Sequence, residues 1–155
     1  MKEILLVEDS DADAALVQTA LDSLSVANRV CRVNSGDEAM AYLKRVSEAA
    51  AIGPPPASVL LLDLVLPDMS GLRILEHMIG QPEFKKTLRV VLSNLSHMKT
   101  IQRAYSLGAH SFLIKPVQPG DLLQLIETFP GYWSFTAKFE NPFRLWQSPV
   151  HAEKT

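Results

Sequence analysis

The run VLLLD at residues 59–63 decides the fold. Four apolar residues in succession, with no polar alternation, suit a strand covered on both faces and therefore central in its sheet. Working outward, ILLV (4–7), RVVL (89–92) and SFLI (111–114) are further short apolar runs, and RVCRV (29–33) alternates as an edge strand would. The stretches between them have helical period. Leu16, Ala20 and Leu24 fall at i, i+4 and i+8, which predicts one buried helix face, with Ser10 or Asp11 as its cap. Ser35-Gly36-Asp37-Glu38 has capping-box spacing and opens a helix carrying Met40, Leu43 and Val46. AAAIGPPPAS (49–58) reads as a loop, because three prolines cannot continue a helix. A short helix is predicted from Gly71 to about Ile79, and QPEFKKT follows as a loop. A helix through Ala104 and Tyr105 ends at Gly108, and the last helix turns Leu122, Leu125, Ile126 and Phe129 inward. Five strands, each followed by a helix, give a doubly wound α/β fold. It is a five-stranded parallel sheet of the flavodoxin-like (βα)5 kind, with strand order 2-1-3-4-5.

The bulk properties agree. The chain has 155 residues, 47% hydrophobic and 21% charged, which fits one domain with a real core. A formal net charge of -2 and the lack of a basic stripe argue against nucleic-acid binding by phosphate neutralisation. Cys31 is the one cysteine, which excludes an internal disulfide and a cysteine zinc site; small packing is its expected role. No run reaches the length of a membrane span, and acidic residues interrupt the first apolar run too early for a signal-peptide core. A cytoplasmic protein is expected. His77, His97, His110 and His151 have no paired metal-ligand spacing and read as surface or rim residues.

What stops each apolar run carries the chemistry. ILLV ends in Glu8-Asp9, VLLL in Asp63, RVVL in Ser93 and SFLI in Lys115. In a parallel sheet these C-terminal ends share one rim, and ligands bind there at the topological switch point. For order 2-1-3-4-5 the switch lies between strands 1 and 3, the strands that carry the three carboxylates. Converging carboxylates repel and raise at least one pKa. A hard divalent cation relieves this, and Mg²⁺ favours a few carboxylates with waters and phosphate oxygens. A carboxylate can be a nucleophile toward phosphorus, while Lys115 and a hydroxyl at Ser93 would stabilise the transferred group.

These residues carry a family resemblance. LLVEDS (5–10), LLLDLVLPDMSG (60–71), VVLS (90–93) and FLIKP (112–116) resemble the motifs of bacterial response-regulator receiver domains, over about residues 2 to 129. The resemblance implies Asp63 as phospho-acceptor. It implies a Mg²⁺ site of Asp9, Asp63 and the Val65 backbone carbonyl, with Glu8 acting through water. Ser93 is then the switch hydroxyl, Phe112 the switch aromatic, and Lys115 the phosphate-binding lysine before a typically cis proline. Ser93 stands where Thr is commoner, Phe112 where many members have Tyr, and Asn94 where the residue is usually smaller. For Phe112 alone, simple core packing competes evenly with a switch role.

The Pro-rich loop before strand 3 and the Tyr132-Trp133 pair are similar to single-domain regulators paired with phytochromes. This implies a sensor histidine kinase, a phytochrome among the candidates, as phosphoryl donor, and output through protein contacts. On this reading the chain is a phospho-accepting signalling protein and no enzyme, with a receiver domain over 1–130 and an extension over 131–155. In the extension Tyr132, Trp133, Phe135, Phe139, Phe143 and Trp146 either fold back on the domain or form a dimer interface. Their density favours the interface, a homodimer through strand 5, the last helix and the extension. Two rivals remain. One is a degenerate receiver that acts as a constitutive interaction module, which the complete set Glu8, Asp9, Asp63, Ser93 and Lys115 disfavours. The other is an aspartyl-phosphate phosphatase, disfavoured because Leu64-Val65 follow Asp63 where such enzymes carry a second acid two residues on.

Overall fold

The structure, a computed structural model, describes residues 2–53, 58–94 and 98–136. Strands β1 (Glu3–Val7), β2 (Arg29–Val33), β3 (Ser58–Asp63), β4 (Leu88–Ser93) and β5 (Ser111–Ile114) alternate with helices α1 (Asp11–Ser23), α2 (Gly36–Ala50), α3 (Leu72–Met78), α4 (Met98–Ser106) and α5 (Pro119–Thr128). The sheet order is β2-β1-β3-β4-β5 and every pairing is parallel. β3 lies at the centre, and Val59, Leu60, Leu61 and Leu62 are at most 1% exposed. The uninterrupted apolar run therefore has the cause read from the sequence: helices cover both of its faces.

Alternate residues of the strands face opposite layers. Ile4, Leu6, Val59, Leu61, Val90 and Leu92 pack with α1 and α5, through Val17, Leu21, Leu122 and Leu125. Leu5, Val7, Leu60, Leu62 and Val91 pack on the other face with Leu43, Ile74, Leu75 and Met78. Right-handed crossovers put the helices there and send all strand C-termini to one rim.

Several local expectations are corrected. In α1 the buried face is Ala14, Val17, Ala20 and Leu21, while Leu16 is 43% exposed and Leu24 only partly buried. The helix carries two overlapping apolar stripes, and the one with small alanines lets it approach the sheet closely. Its N-cap is Ser10, whose hydroxyl accepts from Asp13 N at 3.2 Å. The box at Ser35 is half formed: Ser35 Oγ accepts from Glu38 N, while the Glu38 carboxylate reaches back to Asn34 N instead of Ser35 N. α2 runs on to Ala50, so the loop begins later than residue 49; Pro54, Pro55, Pro56 and Ala57 lie outside the described residues. QPEFKKT contains a 3-10 turn, Pro82–Phe84, which buries Phe84 to 2% exposure.

The aromatic segment after α5 folds back, against the interface reading for these residues. Trp133 is 7% exposed in the α1/α5 core layer, with Phe129, Tyr132 and Phe135 packed beside it. Trp133 Nε1 donates to Phe129 O at 3.0 Å. Asn28, just before β2, is 7% exposed; its Nδ2 donates to Tyr132 O at 2.9 Å and its Oδ1 accepts from Ser134 N at 2.6 Å. Phe135 bridges antiparallel to Val26. Residues 131–136 are thus packed onto the receiver core. Phe139, Phe143 and Trp146 lie outside the described residues, as do His97 and His151.

Candidate functional site

The switch point between β1 and β3 gathers the predicted residues. A pocket there is lined by Glu8, Asp9, Ser10, Asp13, Asp63, Val65, Ser93, Asn94 and Lys115. Glu8 is fully buried and Asp63 is 5% exposed, whereas Asp9 is exposed. Ligand oxygens of Glu8, Asp9 and Asp63 lie within 4.8 Å of one another. Asp63 ends β3 and Glu8-Asp9 are the two residues after β1, so the sheet itself brings the carboxylates together.

Lys115 reaches in from the end of β5. Its Nζ lies 2.7 Å from Asp63 Oδ2, 2.6 Å from Glu8 Oε1 and 3.2 Å from Asp13 Oδ2. Asp63 Oδ1, the other carboxylate oxygen, accepts from Val65 N at 2.9 Å. Burial alone would lower the lysine pKa, but Asp63 and Glu8 outweigh it and hold the ammonium above its usual range. Glu8 moves the other way for an acid: burial, then its contact with Asp63, push its pKa up to about 7 despite the lysine. One monocation cannot balance this many carboxylates in so dry a place.

The residues fit a hard divalent cation. Glu8 Oε1 is buried and pairs with the Lys115 ammonium at 2.6 Å, an ammonium that Asp63 and Asp13 share. A buried carboxylate that shares a single ammonium with other acids is under-neutralised, and a cation or its bound water would relieve it. Oxygen-only donors in a cluster open on one side suit Mg²⁺ or Mn²⁺ and not a soft metal.

The rest of the set surrounds this centre. Ser93 Oγ donates to Asn94 O at 2.9 Å, so the hydroxyl is tied to its own loop and not to Asp63. Phe112 is half-buried, edge-on to Tyr105 with ring centres 6.2 Å apart, so core packing and an exposed edge coexist. Val65 is 75% exposed at the lip of the pocket. The Lys115-Pro116 peptide bond is cis.

Two residues escaped the sequence reading. Asp13 joins the lysine; it lies in the first turn of α1, whose N-cap Ser10 directly follows Asp9. Asp68 accepts from Gly36 N and Asp37 N, both at 2.8 Å. It caps α2 from the loop after β3 and ties that loop to the rim. His110 is more than a rim residue: its Nδ1 accepts from Arg89 N at 3.0 Å.

The comparisons with known proteins agree with this geometry. The family model described as "Response regulator receiver domain" matches residues 4–127. Response regulator Rcp1 of Synechocystis sp. (strain ATCC 27184 / PCC 6803 / Kazusa) is 31% identical over 132 residues, 85% of this chain and 88% of Rcp1. The Mn(2+)-bound structure of Rcp1 superposes with a TM-score of 0.65 at 33% identity, covering 83% of this chain and 94% of that one. The bacteriophytochrome response regulator AtBRR gives a TM-score of 0.71 at 34% identity, covering 88% and 98%. The phosphorylated cyanobacterial phytochrome response regulator RcpA gives 0.65 at 33% identity, covering 91% and 98%. With the family's strand order, its acidic cluster and its lysine all in place, this chain belongs to the response regulator receiver domain family and is related to the phytochrome response regulators.

Proposed function

We propose that Asp63 accepts a phosphoryl group from the phosphohistidine of a sensor histidine kinase, with Mg²⁺ bound beside it. The observation that carries this is the placement of Asp63: a nearly buried carboxylate whose Oδ2 is held 2.7 Å from Lys115, next to two further acids. Asp9, Asp63 and the Val65 carbonyl would hold the Mg²⁺, with Glu8 acting through water. The chemistry it would supply is positive charge for the phosphoryl oxygens.

The chain's own residues do the remainder. Val65 N fixes the Asp63 carboxylate by its Oδ1, which orients the group for attack. A carboxylate oxygen of Asp63 bonds to phosphorus as the phosphorus–nitrogen bond to the donor histidine breaks. The donor imidazole keeps the electron pair and takes up a proton. Lys115, kept protonated by its neighbours, stabilises the growing charge on a phosphoryl oxygen. Ser93 gives up its bond to Asn94 O and donates to another phosphoryl oxygen. That rotation pulls on the loop after β4, and Phe112, packed against Tyr105 of α4, passes the change to the β5 face. Output is then a change in protein contacts.

Incubation with acetyl phosphate and Mg²⁺, followed by intact mass, tests this. A single phosphoryl adduct is expected on the wild type and none on Asp63→Asn. An adduct of equal yield on Asp63→Asn sinks the assignment. The relatives named as phytochrome regulators make a phytochrome the first kinase to assay by phosphotransfer.

A homodimer is the second element of the proposal. A groove of about 290 Å³ between β5 and α5, lined by Phe112, Ile114, Leu125 and Phe129 among others, supports this reading as an apolar-lined face that a second copy could cover. Because Trp133 belongs to the core and Tyr132 and Phe135 pack against it, the informative truncation removes 137–155 only. Sedimentation should move toward monomer in that variant, and an unchanged profile contradicts a role for the extension.

A further inference from the structure

Asp13 is a rim carboxylate that the strand-end pattern does not single out. It stands in the first turn of α1, its backbone fixed by the Ser10 cap. Its Oδ2 accepts from Lys115 Nζ at 3.2 Å, beside the contacts of 2.7 Å to Asp63 and 2.6 Å to Glu8. An ammonium has three N–H donors, and three carboxylates already surround this one. An incoming phosphoryl oxygen needs one of those donors before Asp63 has lost its own charge.

The three contacts are not equally easy to give up. Glu8 is fully buried, and the Asp63 side chain is 7% exposed. The Asp13 side chain is 35% exposed and its contact is the longest, so water replaces the lysine there at least cost. We propose that Asp13 is a positioning residue that acts through Lys115. It holds the ammonium by a releasable third contact in the resting protein and competes with the phosphoryl group for it. This rests on the reading of Asp63 as phospho-acceptor. A partly exposed ion pair is weak, so the tether sets a rate within a small factor and does not block the reaction.

The test compares Asp13→Asn with Asp11→Asn. Asp11 is in the same helical turn and carries the same charge, but it pairs with Arg32 at 2.8 Å and its side chain is 96% exposed. Initial phosphorylation by acetyl phosphate is followed by intact mass at saturating Mg²⁺, with Mg²⁺ affinity and melting temperature measured alongside. Asp13→Asn should react about two- to fivefold faster than both wild type and Asp11→Asn, at a melting temperature close to theirs. Asp13→Glu, which restores the carboxylate, should return toward the wild-type rate. A rate for Asp13→Asn equal to that of Asp11→Asn, or slower, overturns the tether while leaving Asp63 as acceptor. Absence of an adduct on every form overturns the acceptor reading, and the tether with it.

Discussion

The two ends of the sheet bury polar groups in opposite ways. At the C-terminal rim the buried carboxylates of Glu8 and Asp63 share one ammonium, that of Lys115, with Asp13 as a third claimant. At the N-terminal end the buried side chains lean on backbone. Arg89, 8% exposed, donates to Phe84 O at 2.7 Å and to Gly108 O at 3.2 Å, and Asn28 serves Tyr132 O and Ser134 N. At the surface of the same end Lys2 donates to Gly131 O. A side chain matched to fixed carbonyls and amides stitches loops together. Acids that share one counter-charge, in charge excess, leave room for a ligand. The same sheet thus carries an assembled floor and an unfinished rim.

Substitutions can break this contrast, and the largest effect is at the rim. Asp63→Asn should abolish phosphoryl adduct formation while leaving the melting temperature near wild type, since the amide keeps the shape. A large loss of stability would mean that the rim is structural after all. At the floor, Trp133→Ala should cost about 3–5 kcal/mol in urea unfolding, the usual toll of emptying an aromatic from a core. A cost near zero would restore the interface reading for residues 132–135. Arg89→Met is expected to be milder. The thioether fills much of the volume, but the carbonyls of Phe84 and Gly108 lose their donors, for about 1–3 kcal/mol by the same measurement, with phosphorylation unchanged.

The smallest expected effect is a slope against pH. Glu8 has its folded pKa raised from 4.5 to about 7, by burial first and by Asp63 second. Between those values the folded protein keeps a proton that the unfolded chain has released. Metal-free protein should therefore lose stability as pH rises through this window. Glu8→Gln should flatten the slope. The proton also competes with the cation, so Mg²⁺ affinity of the wild type should rise toward pH 7 and level off above it. A pH-independent Mg²⁺ affinity would mean that Glu8 is ionised throughout.

Much of the fold was legible because it rests on local patterns. Continuous apolar runs announced buried parallel strands, and the polar residue that stops each run marked the rim. Glu8, Asp9, Asp63, Ser93 and Lys115 were therefore readable as a set from the sequence. Less was readable where two local patterns coincide. Leu16 and Val17 both lie on apolar stripes of α1, and only contact with the sheet and α5 decided that Val17 is buried. Phe84 sat in a polar context that reads as loop, yet the gap beside α3 took it into the core. The aromatics at 132–135 carry no mark that separates an inward from an outward face, because the segment has neither helical nor strand period.

By itself, then, the sequence determined the alternation of strand and helix, the sheet order and the chemical types at the rim. These follow from periodicities of a few residues and from the fixed handedness of crossovers. The tertiary structure alone decided that Lys115 serves Asp13 as well as Asp63 and Glu8, and that Asp68 caps α2. It also decided that Trp133 completes the core. Each of these joins residues distant in the chain through contacts of a few ångströms, and no local pattern encodes which distant group will fill a given hydrogen bond or void.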